Sequence, residues 1–183
     1  MLNEAMKLLI DALAEYQRAQ RKPSAPILVH AIVKEAEETS YKTAQSRHLV
    51  VELGRALTPL GVASALNSDP NRIAVFPVVK RQGGIFPDRV GLGRTRNADI
   101  VIPYSHISKY HAYFSLSGET WTITDAGSKN GTTVDGGRVG KESIVLSSGQ
   151  VITFGRAAVQ FYLPDHFVEL LEQLLRLGVS KRV

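Results

Sequence analysis

The sequence predicts a mainly β protein, a β-sandwich preceded by a helical region and followed by one helix. The middle of the 183-residue chain contains short runs rich in β-branched and aromatic residues, separated by turn-forming residues. Apolar residues spaced three and four apart precede these runs, and a second stretch with this helical period follows Pro164. We therefore divide the chain into a helical region (1–66), a linker (67–71), a sandwich (72–164) and a C-terminal helix (165–183).

Three helices are predicted in the first region. The first has an apolar stripe that consists of Leu2, Met6, Leu9, Leu13 and Tyr16. The second is expected to begin after Ser24, whose hydroxyl is a good N-cap, and to pass through Ile27 and Ala31. The third runs from Leu49 to Leu57 and is interrupted at Pro59.

The turn-forming cluster NSDPN, residues 67–71, marks the change from helical to strand-like patterning. The strands predicted after it are IAVFPVV, RVGLG, DIVIP, HAYFSL, WTITDA, TTVDGGRV, SIVL and VITFGRAAVQFYL. Residues 121–124 alternate apolar and polar, as in a half-buried strand. The sequence Asp135-Gly136-Gly137 predicts a tight hairpin, because such a turn needs positive φ angles.

A terminal amphipathic helix is predicted after Pro164. Its inward face consists of Phe167, Leu170, Leu171, Leu174 and Leu175. Asp165 is expected to cap its first turn, and Gly178 to end it. A two-layer sandwich does not itself require this apolar face, nor that of the first helix. The two faces therefore pack within one chain or form a homodimer, and both alternatives stay open.

The composition excludes several classes of protein. The chain has no cysteine, which rules out disulfides and thiol catalysis and fits a cytoplasmic location. No run approaches the ~18 consecutive apolar residues of a membrane span, so no membrane partner is expected. Glu4, Asp11 and Glu15 interrupt the apolar N-terminus, which is therefore not expected to be a secretory signal.

The positive charge is concentrated in one part of the chain. The formal net charge is +5, and all of the excess lies in residues 71–164, because acidic and basic side chains balance on either side. This distribution predicts an anionic partner for the sandwich. Nucleic acid is disfavoured, because no aromatic residues are interleaved with the basic ones and no known motif is present.

The segment IPYSHISKYHAYF, residues 102–114, concentrates polar side chains. Ser108 and His111 suggest a nucleophile and its base, but bulky residues surround Ser108 where a hydrolase needs a sharp turn. His106 and His111 lack further nearby metal ligands. We therefore expect no catalytic residue, no metal and no cofactor, and we expect Ser105, His106, Tyr104 and Tyr110 to be solvated loop residues.

Donors in three segments favour an anion pocket instead. Residues 93–99, 105–109 and 127–132 each lie beside a predicted strand end and contain arginine, lysine, serine or asparagine. Arginine can hold a phosphate through two parallel hydrogen bonds, while lysine and serine add further donors. The pattern predicts that a phosphate monoester binds between these loops at one end of the sandwich.

The same segments resemble the forkhead-associated (FHA) domain family. Five short motifs occur in the family's order: Gly-Arg at 93–94, Ser-x-x-His at 108–111, Asn-Gly at 130–131, Val-Asp-Gly at 134–136 and GQVITFG at 149–155. The resemblance covers about residues 72–163. It implies an eleven-stranded β-sandwich whose loops bind phosphothreonine peptides and which catalyses no reaction.

The resemblance also implies roles for individual residues. Phosphate contacts fall to Arg94, Ser108 and Lys109, and Asn130 would hydrogen-bond the peptide backbone. The chain departs from the family at Lys129, where a threonine or serine is common. This lysine would either strengthen phosphate binding as a point charge or fill a pocket that no longer recognises a threonine methyl group, and the selectivity would be altered. Structural roles fall to Gly93, His111 and Gly131.

These inferences predict a phosphothreonine-binding adaptor that recognises the product of a Ser/Thr kinase. The alternative is a phosphate-independent interaction or oligomerisation module on the same scaffold. The presence of Arg94, Ser108 and Asn130 favours the first hypothesis.

Overall fold

The computed structural model describes residues 11, 22–31, 58–68, 73–82, 84 and 86–179. The first and third predicted helices lie outside these residues, apart from Asp11, which is helical. Within the described residues the chain forms eleven strands and two helices. The strands are β1 (Ile27–Ala31), β2 (Ile73–Pro77), β3 (Val90–Gly93), β4 (Ile100–Val101), β5 (Ala112–Ser117), β6 (Thr120–Asp125), β7 (Thr132–Val134), β8 (Gly137–Val139), β9 (Ile144–Val145), β10 (Val151–Phe154) and β11 (Ala157–Tyr162), and the helices are α1 (Pro59–Ser68) and α2 (Pro164–Arg176).

The strands form the two sheets of a β-sandwich. The six-stranded sheet has the order β2-β1-β11-β10-β7-β8, and the five-stranded sheet has the order β4-β3-β5-β6-β9. Alternate side chains of both sheets point inward and form the main core, where Phe114, Phe154 and Phe161 are fully buried. The predicted β-sandwich with a C-terminal helix is confirmed, and every run predicted as a strand after residue 71 contains one.

The helices add a third layer. A second apolar cluster joins α1 and α2 to the outer side of β1, β2 and β11, and it includes Val29, Val62 and Val75. In α2 the predicted apolar face is buried in this cluster at Phe167, Leu170, Leu171 and Leu174. The C-terminal stripe is therefore covered by its own chain.

The prediction of a helix through Ile27 and Ala31 was wrong. These residues form β1, which pairs antiparallel with both β2 and β11. Leu28 faces the main core and Val29 faces the helices, and both are fully buried. A strand covered on both faces is apolar throughout, so its sequence lacks the alternation that would distinguish it from a helix. The sandwich therefore includes residues from the region assigned to helices.

Two helix boundaries also differ from the prediction. Pro59 begins α1, because a proline at the first helical position lacks only an N–H that would be unpaired there. Since α1 extends to Ser68, the predicted linker overlaps its end. Asp165 does not cap α2: Leu163 holds the N-cap position, and Asp165 instead accepts a hydrogen bond from Lys22 at 2.9 Å.

The other predicted boundaries agree with the structure. Asp135 and Gly136 have φ angles of 49° and 82° and connect β7 to β8 in a two-residue hairpin. Gly178, with φ of 78°, follows the end of α2, and the amide of Val179 bonds back to the carbonyl of Leu174 at 3.0 Å.

Candidate functional site

Three loops meet at one end of the sandwich. Loop A (94–99) connects β3 to β4, loop B (102–111) connects β4 to β5, and loop C (126–131) connects β6 to β7. They contain the side chains predicted to bind an anion: Arg94 in loop A, Ser108 and Lys109 in loop B, and Lys129 and Asn130 in loop C. The structure brings all five into one region through the contacts described below.

Loop A is tied to loop B through the backbone. The amide of Arg94 donates to the carbonyl of Ser108 at 3.0 Å, and the amide of Ile102 donates to the carbonyl of Gly93 at 3.0 Å. A Cβ atom at Gly93 would lie 2.1 Å from the carbonyl oxygen of Lys109. Only glycine lets the chain come this close to the backbone of loop B. Gly93 therefore fixes the position of the neighbouring Arg94.

Loop C is folded around the carboxylate of Asp125. This carboxylate accepts hydrogen bonds from the amides of Gly127 and Ser128, both at 2.8 Å, and from the hydroxyls of Ser128 and Thr132 at 2.7 and 2.6 Å. Burial alone would raise the pKa of Asp125, but these hydrogen bonds outweigh it and lower the pKa. Gly131 closes the loop with φ of 79°, a conformation that favours glycine.

His111 joins loop B to loop C. Its side chain is fully buried, with the ring edge-to-face against Phe154. Its Nδ1 accepts from the amide of Ser108 at 3.1 Å, so the neutral ring carries its proton on Nε2 and donates it to the carbonyl of Gly131 at 3.1 Å. Burial lowers the pKa of His111, although the bond to Gly131 acts in the opposite direction. The ring is therefore neutral and holds both loops.

The hydroxyl of Ser108 is oriented by loop C. Its oxygen accepts the amide proton of Lys129 at 3.0 Å, which leaves the hydroxyl proton free for another acceptor. The side-chain amide of Asn130 donates to the carbonyl of His106 at 2.6 Å and so ties loop C to loop B a second time. Arg94, Lys109, Lys129 and Asn130 are all exposed to solvent.

This geometry does not form a catalytic pair. His111 bonds to the backbone amide of Ser108 and not to its hydroxyl, and both ring nitrogens of His111 already have partners. Among the described residues, no base therefore contacts the hydroxyl oxygen of Ser108. Within the described part of the chain, no group of three or more His, Asp or Glu side chains could hold a metal ion.

Ser105 is exposed as predicted, but the prediction that Tyr104, His106 and Tyr110 are solvated was wrong. Tyr104 stacks on His106 with ring centroids 5.4 Å apart, and its hydroxyl lies 3.2 Å from Nε2 of the buried His30 in β1. Tyr110 packs on the backbone of Gly91, where a Cβ atom would lie 2.6 Å from the tyrosine ring. These contacts support loop B from both sides.

Two further residues that support the loops, Asp125 and His30, were not identified from the sequence. Asp125 stands before Gly127-Ser128, a spacing at which aspartate often caps a turn, so a local signal was present. No local signal connects His30 with loop B, because the two are distant in sequence and meet only when the sandwich has formed.

A β-sandwich with exposed donors from three braced loops defines a binding module. Residues 90–155 match the FHA domain family. The chain therefore contains an FHA domain, which is a binding module and not a catalytic one. The structure also includes β1, β2, β11 and both helices, which lie outside the matched residues.

Curated relatives share this part of the chain. An oxoglutarate dehydrogenase inhibitor of Corynebacterium jeikeium is 38% identical over 69 residues, which are 38% of this chain and 46% of that protein. An ABC transporter ATP-binding/permease protein of Mycobacterium tuberculosis is 37% identical over 79 residues, which are 43% of this chain and 9% of that protein. The chain thus matches less than half the length of either relative.

Solved FHA domains also align with about half of the chain. The FHA-2 domain of a Mycobacterium tuberculosis ABC transporter is 35% identical with a TM-score of 0.37, covering 45% of this chain and 74% of that one. The FHA domain of a Chlamydia trachomatis protein is 28% identical with a TM-score of 0.41, covering 49% of this chain and 85% of that one.

Among the residues described by the structure, no helix is long and apolar enough to cross a membrane.

Proposed function

We propose that this protein binds phosphothreonine-containing segments of partner proteins at the end of the sandwich formed by loops A, B and C. The observation that supports this best is the convergence of the three loops on Ser108. Its carbonyl accepts the amide of Arg94 from loop A, and its hydroxyl oxygen accepts the amide of Lys129 from loop C. Donors from all three loops are thus held around one small region.

The chemistry of the donors suits a phosphate monoester. A phosphorylated threonine carries about −1.5 to −2 charges at neutral pH and offers three acceptor oxygens. Arg94 can supply a bidentate pair of hydrogen bonds, Ser108 its oriented hydroxyl proton, and Lys109 and Lys129 further positive charge. None of the three basic side chains forms an ion pair within the described residues.

Asn130 is positioned to bind the peptide backbone. Its side-chain nitrogen donates to the carbonyl of His106, which fixes the orientation of the amide plane. An exposed, oriented amide beside a phosphate site can pair with main-chain groups of an extended segment. Gly93, His111 and Gly131 hold the loops and do not contact the ligand in this proposal.

The biological role that follows is that of an adaptor in Ser/Thr kinase signalling. The protein recognises a phosphorylated partner, catalyses no reaction itself, and works in the cytoplasm. Lys129, at a position where a small hydroxyl residue is common, adds a point charge to the phosphate site and changes its selectivity. A homodimer through the N-terminal stripe stays a prediction, whereas the apolar face of α2 is occupied within the chain.

Titration calorimetry on the full chain tests the proposal. Phosphothreonine peptides should bind, phosphoserine peptides should bind more weakly, and unphosphorylated peptides should not bind. Arg94→Ala should lower affinity roughly 30- to 150-fold, because a charge-assisted bidentate contact is worth about 2–3 kcal/mol. Arg176→Ala is the matched control, since this exposed arginine lies on α2.

Two outcomes would count against the proposal. Equal affinity of wild type and Arg94→Ala for a phosphopeptide would remove Arg94 from the site. Binding of a partner protein that is indifferent to its phosphorylation would favour the phosphate-independent interaction module instead.

A further inference from the structure

One more cation reaches this end of the molecule, and the proposed phosphate site does not use it. Arg138 lies on β8, opposite Thr133 of β7, and is exposed. Its side chain extends back to loop C. A Cβ atom placed on Gly131 would lie 3.9 Å from its terminal nitrogen Nη2 and 4.0 Å from Nε. The guanidinium group therefore lies beside the Asn130–Gly131 turn.

The position of Arg138 differs from that of Arg94. Hydrogen bonds connect Arg94 to Ser108 and Ser108 to Lys129. Gly131 follows Lys129 two residues later in loop C. Arg94 is thus held through its backbone to loop B, whereas the side chain of Arg138 lies beside the end of loop C. Arg138 is not among the residues assigned to the phosphate.

Among the residues that the structure describes, Arg138 also has no counterion. Arg94, Lys109 and Lys129 already supply three positive charges for a phosphate that carries about −1.5 to −2. The carboxylate of Asp125, which holds loop C, is engaged by four hydrogen bonds, three from that loop and one from Thr132 at the start of β7. Arg138 has no hydrogen bond or ion pair with any residue in the described ranges.

We propose that Arg138 binds an anionic side chain of the same partner segment, next to the phosphothreonine, and so determines which partners are selected. This inference rests on the proposed function. An exposed guanidinium fork suits a carboxylate or a second phosphate equally well, because both present two oxygens in the geometry of its paired N–H groups. The ligand class is therefore a phosphothreonine segment with an acidic or phosphorylated neighbour.

The test begins with a degenerate phosphothreonine peptide library applied to the full chain. A selected peptide is then varied at each flanking position in turn, with aspartate, phosphoserine, alanine or lysine. At one position we expect aspartate or phosphoserine to bind about fivefold more tightly than alanine, and lysine to bind more weakly, as for an exposed ion pair. The aspartate and phosphoserine arms distinguish the two sources of negative charge.

Variants then assign this preference to one side chain. Arg138→Gln should abolish the preference, and Arg138→Lys should retain part of it, because the charge stays while the fork is lost. Arg96→Gln, which removes an exposed charge from loop A, should leave it unchanged. A preference that survives Arg138→Gln, or the absence of any acidic preference, would overturn the inference while phosphothreonine binding stands. Failure of every phosphopeptide to bind would overturn the proposed function, and this inference with it.

Discussion

Ser108 and His111 are three residues apart in loop B, and their side chains have different surroundings. The hydroxyl of Ser108 is partly exposed and contacts one amide, that of Lys129. The imidazole of His111 is fully buried and satisfies one group in each of two loops. Ligand contact and loop support are thus separable by mutation.

His111→Ala should destabilise the fold. It leaves the amide of Ser108 and the carbonyl of Gly131 without partners, and each such loss costs about 1–3 kcal/mol. For a chain of this size we expect the melting temperature to fall by roughly 5–15 °C in calorimetry. Ser108→Ala should change it by no more than about 2 °C while weakening phosphopeptide binding. Full thermal stability of His111→Ala would show that the ring is not a brace.

Buried histidines predict how stability depends on pH. Burial lowers the pKa of His30, His106 and His111 in the folded state, relative to about 6.5 in the unfolded chain. Above about pH 7 these histidines are largely neutral in both the folded and the unfolded state, and their contribution to stability is complete. As the pH falls below this value the unfolded state takes up protons first, so stability is lost towards the folded pKa values. Asp99 and Asp125, whose pKa values are lowered from 3.8, contribute a separate loss only in stronger acid.

Melting curves between pH 8 and pH 5 check this dependence. The melting temperature should be flat above about pH 7 and should fall below about pH 6.5. His30→Gln should reduce the slope in this range, because the variant has no buried imidazole at that position to resist protonation. The exposed His166→Gln is the control and should keep the wild-type slope. An unchanged slope in His30→Gln would exclude His30 as a contributor.

At the scale of strands and helices, an element was predicted correctly where the sequence contains a local signal for it. Strands after residue 71 were predicted because each is short, rich in β-branched residues and bounded by turn residues. The turn at Asp135 and Gly136 was predicted because its residues fit a required backbone conformation. β1 was missed because Ile27-Leu28-Val29 is apolar on both faces, and which element covers each face is a tertiary property.

For the candidate site, the sequence located the binding residues but not the contacts that hold their loops together. Sequence motifs located Arg94, Ser108 and Asn130 in three loops, because each motif is local. The contacts that hold the loops together, such as the bond from Asn130 to the carbonyl of His106, join residues 24 positions apart. They depend on strand order and could not be derived from local pattern alone.

The helical layer should stabilise the fold without taking part in binding. Leu174→Ala removes a fully buried side chain from the cluster between α2 and the six-stranded sheet. We expect it to lower the free energy of unfolding by about 2–5 kcal/mol in urea denaturation. Phosphopeptide affinity should stay unchanged, because loops A, B and C make no use of this cluster. Leu177→Ala, at a side chain 43% exposed, is the control and should cost no more than about 0.5 kcal/mol.

At the scale of the whole molecule, the matched FHA residues are smaller than the folded unit. Residues 90–155 contain the three loops, but they lack β1, β2 and β11, which make up half of the six-stranded sheet. Those strands bury Leu28, Phe76 and Phe161 in the main core. The site therefore depends on chain segments that no site motif identifies.

The position of β1 has a consequence for how the protein is made. β1 lies between β2 and β11, and His30 bonds to Ala158, which is 128 residues away. A ribosome releases the N-terminal segment first, so this strand leaves the exit tunnel long before β11 has been synthesised. Until then one of its edges has no native partner, and an unpaired apolar edge is open to pairing with another chain. The six-stranded sheet is complete only after Tyr162 has been synthesised, so this edge of β1 stays unpaired for most of translation.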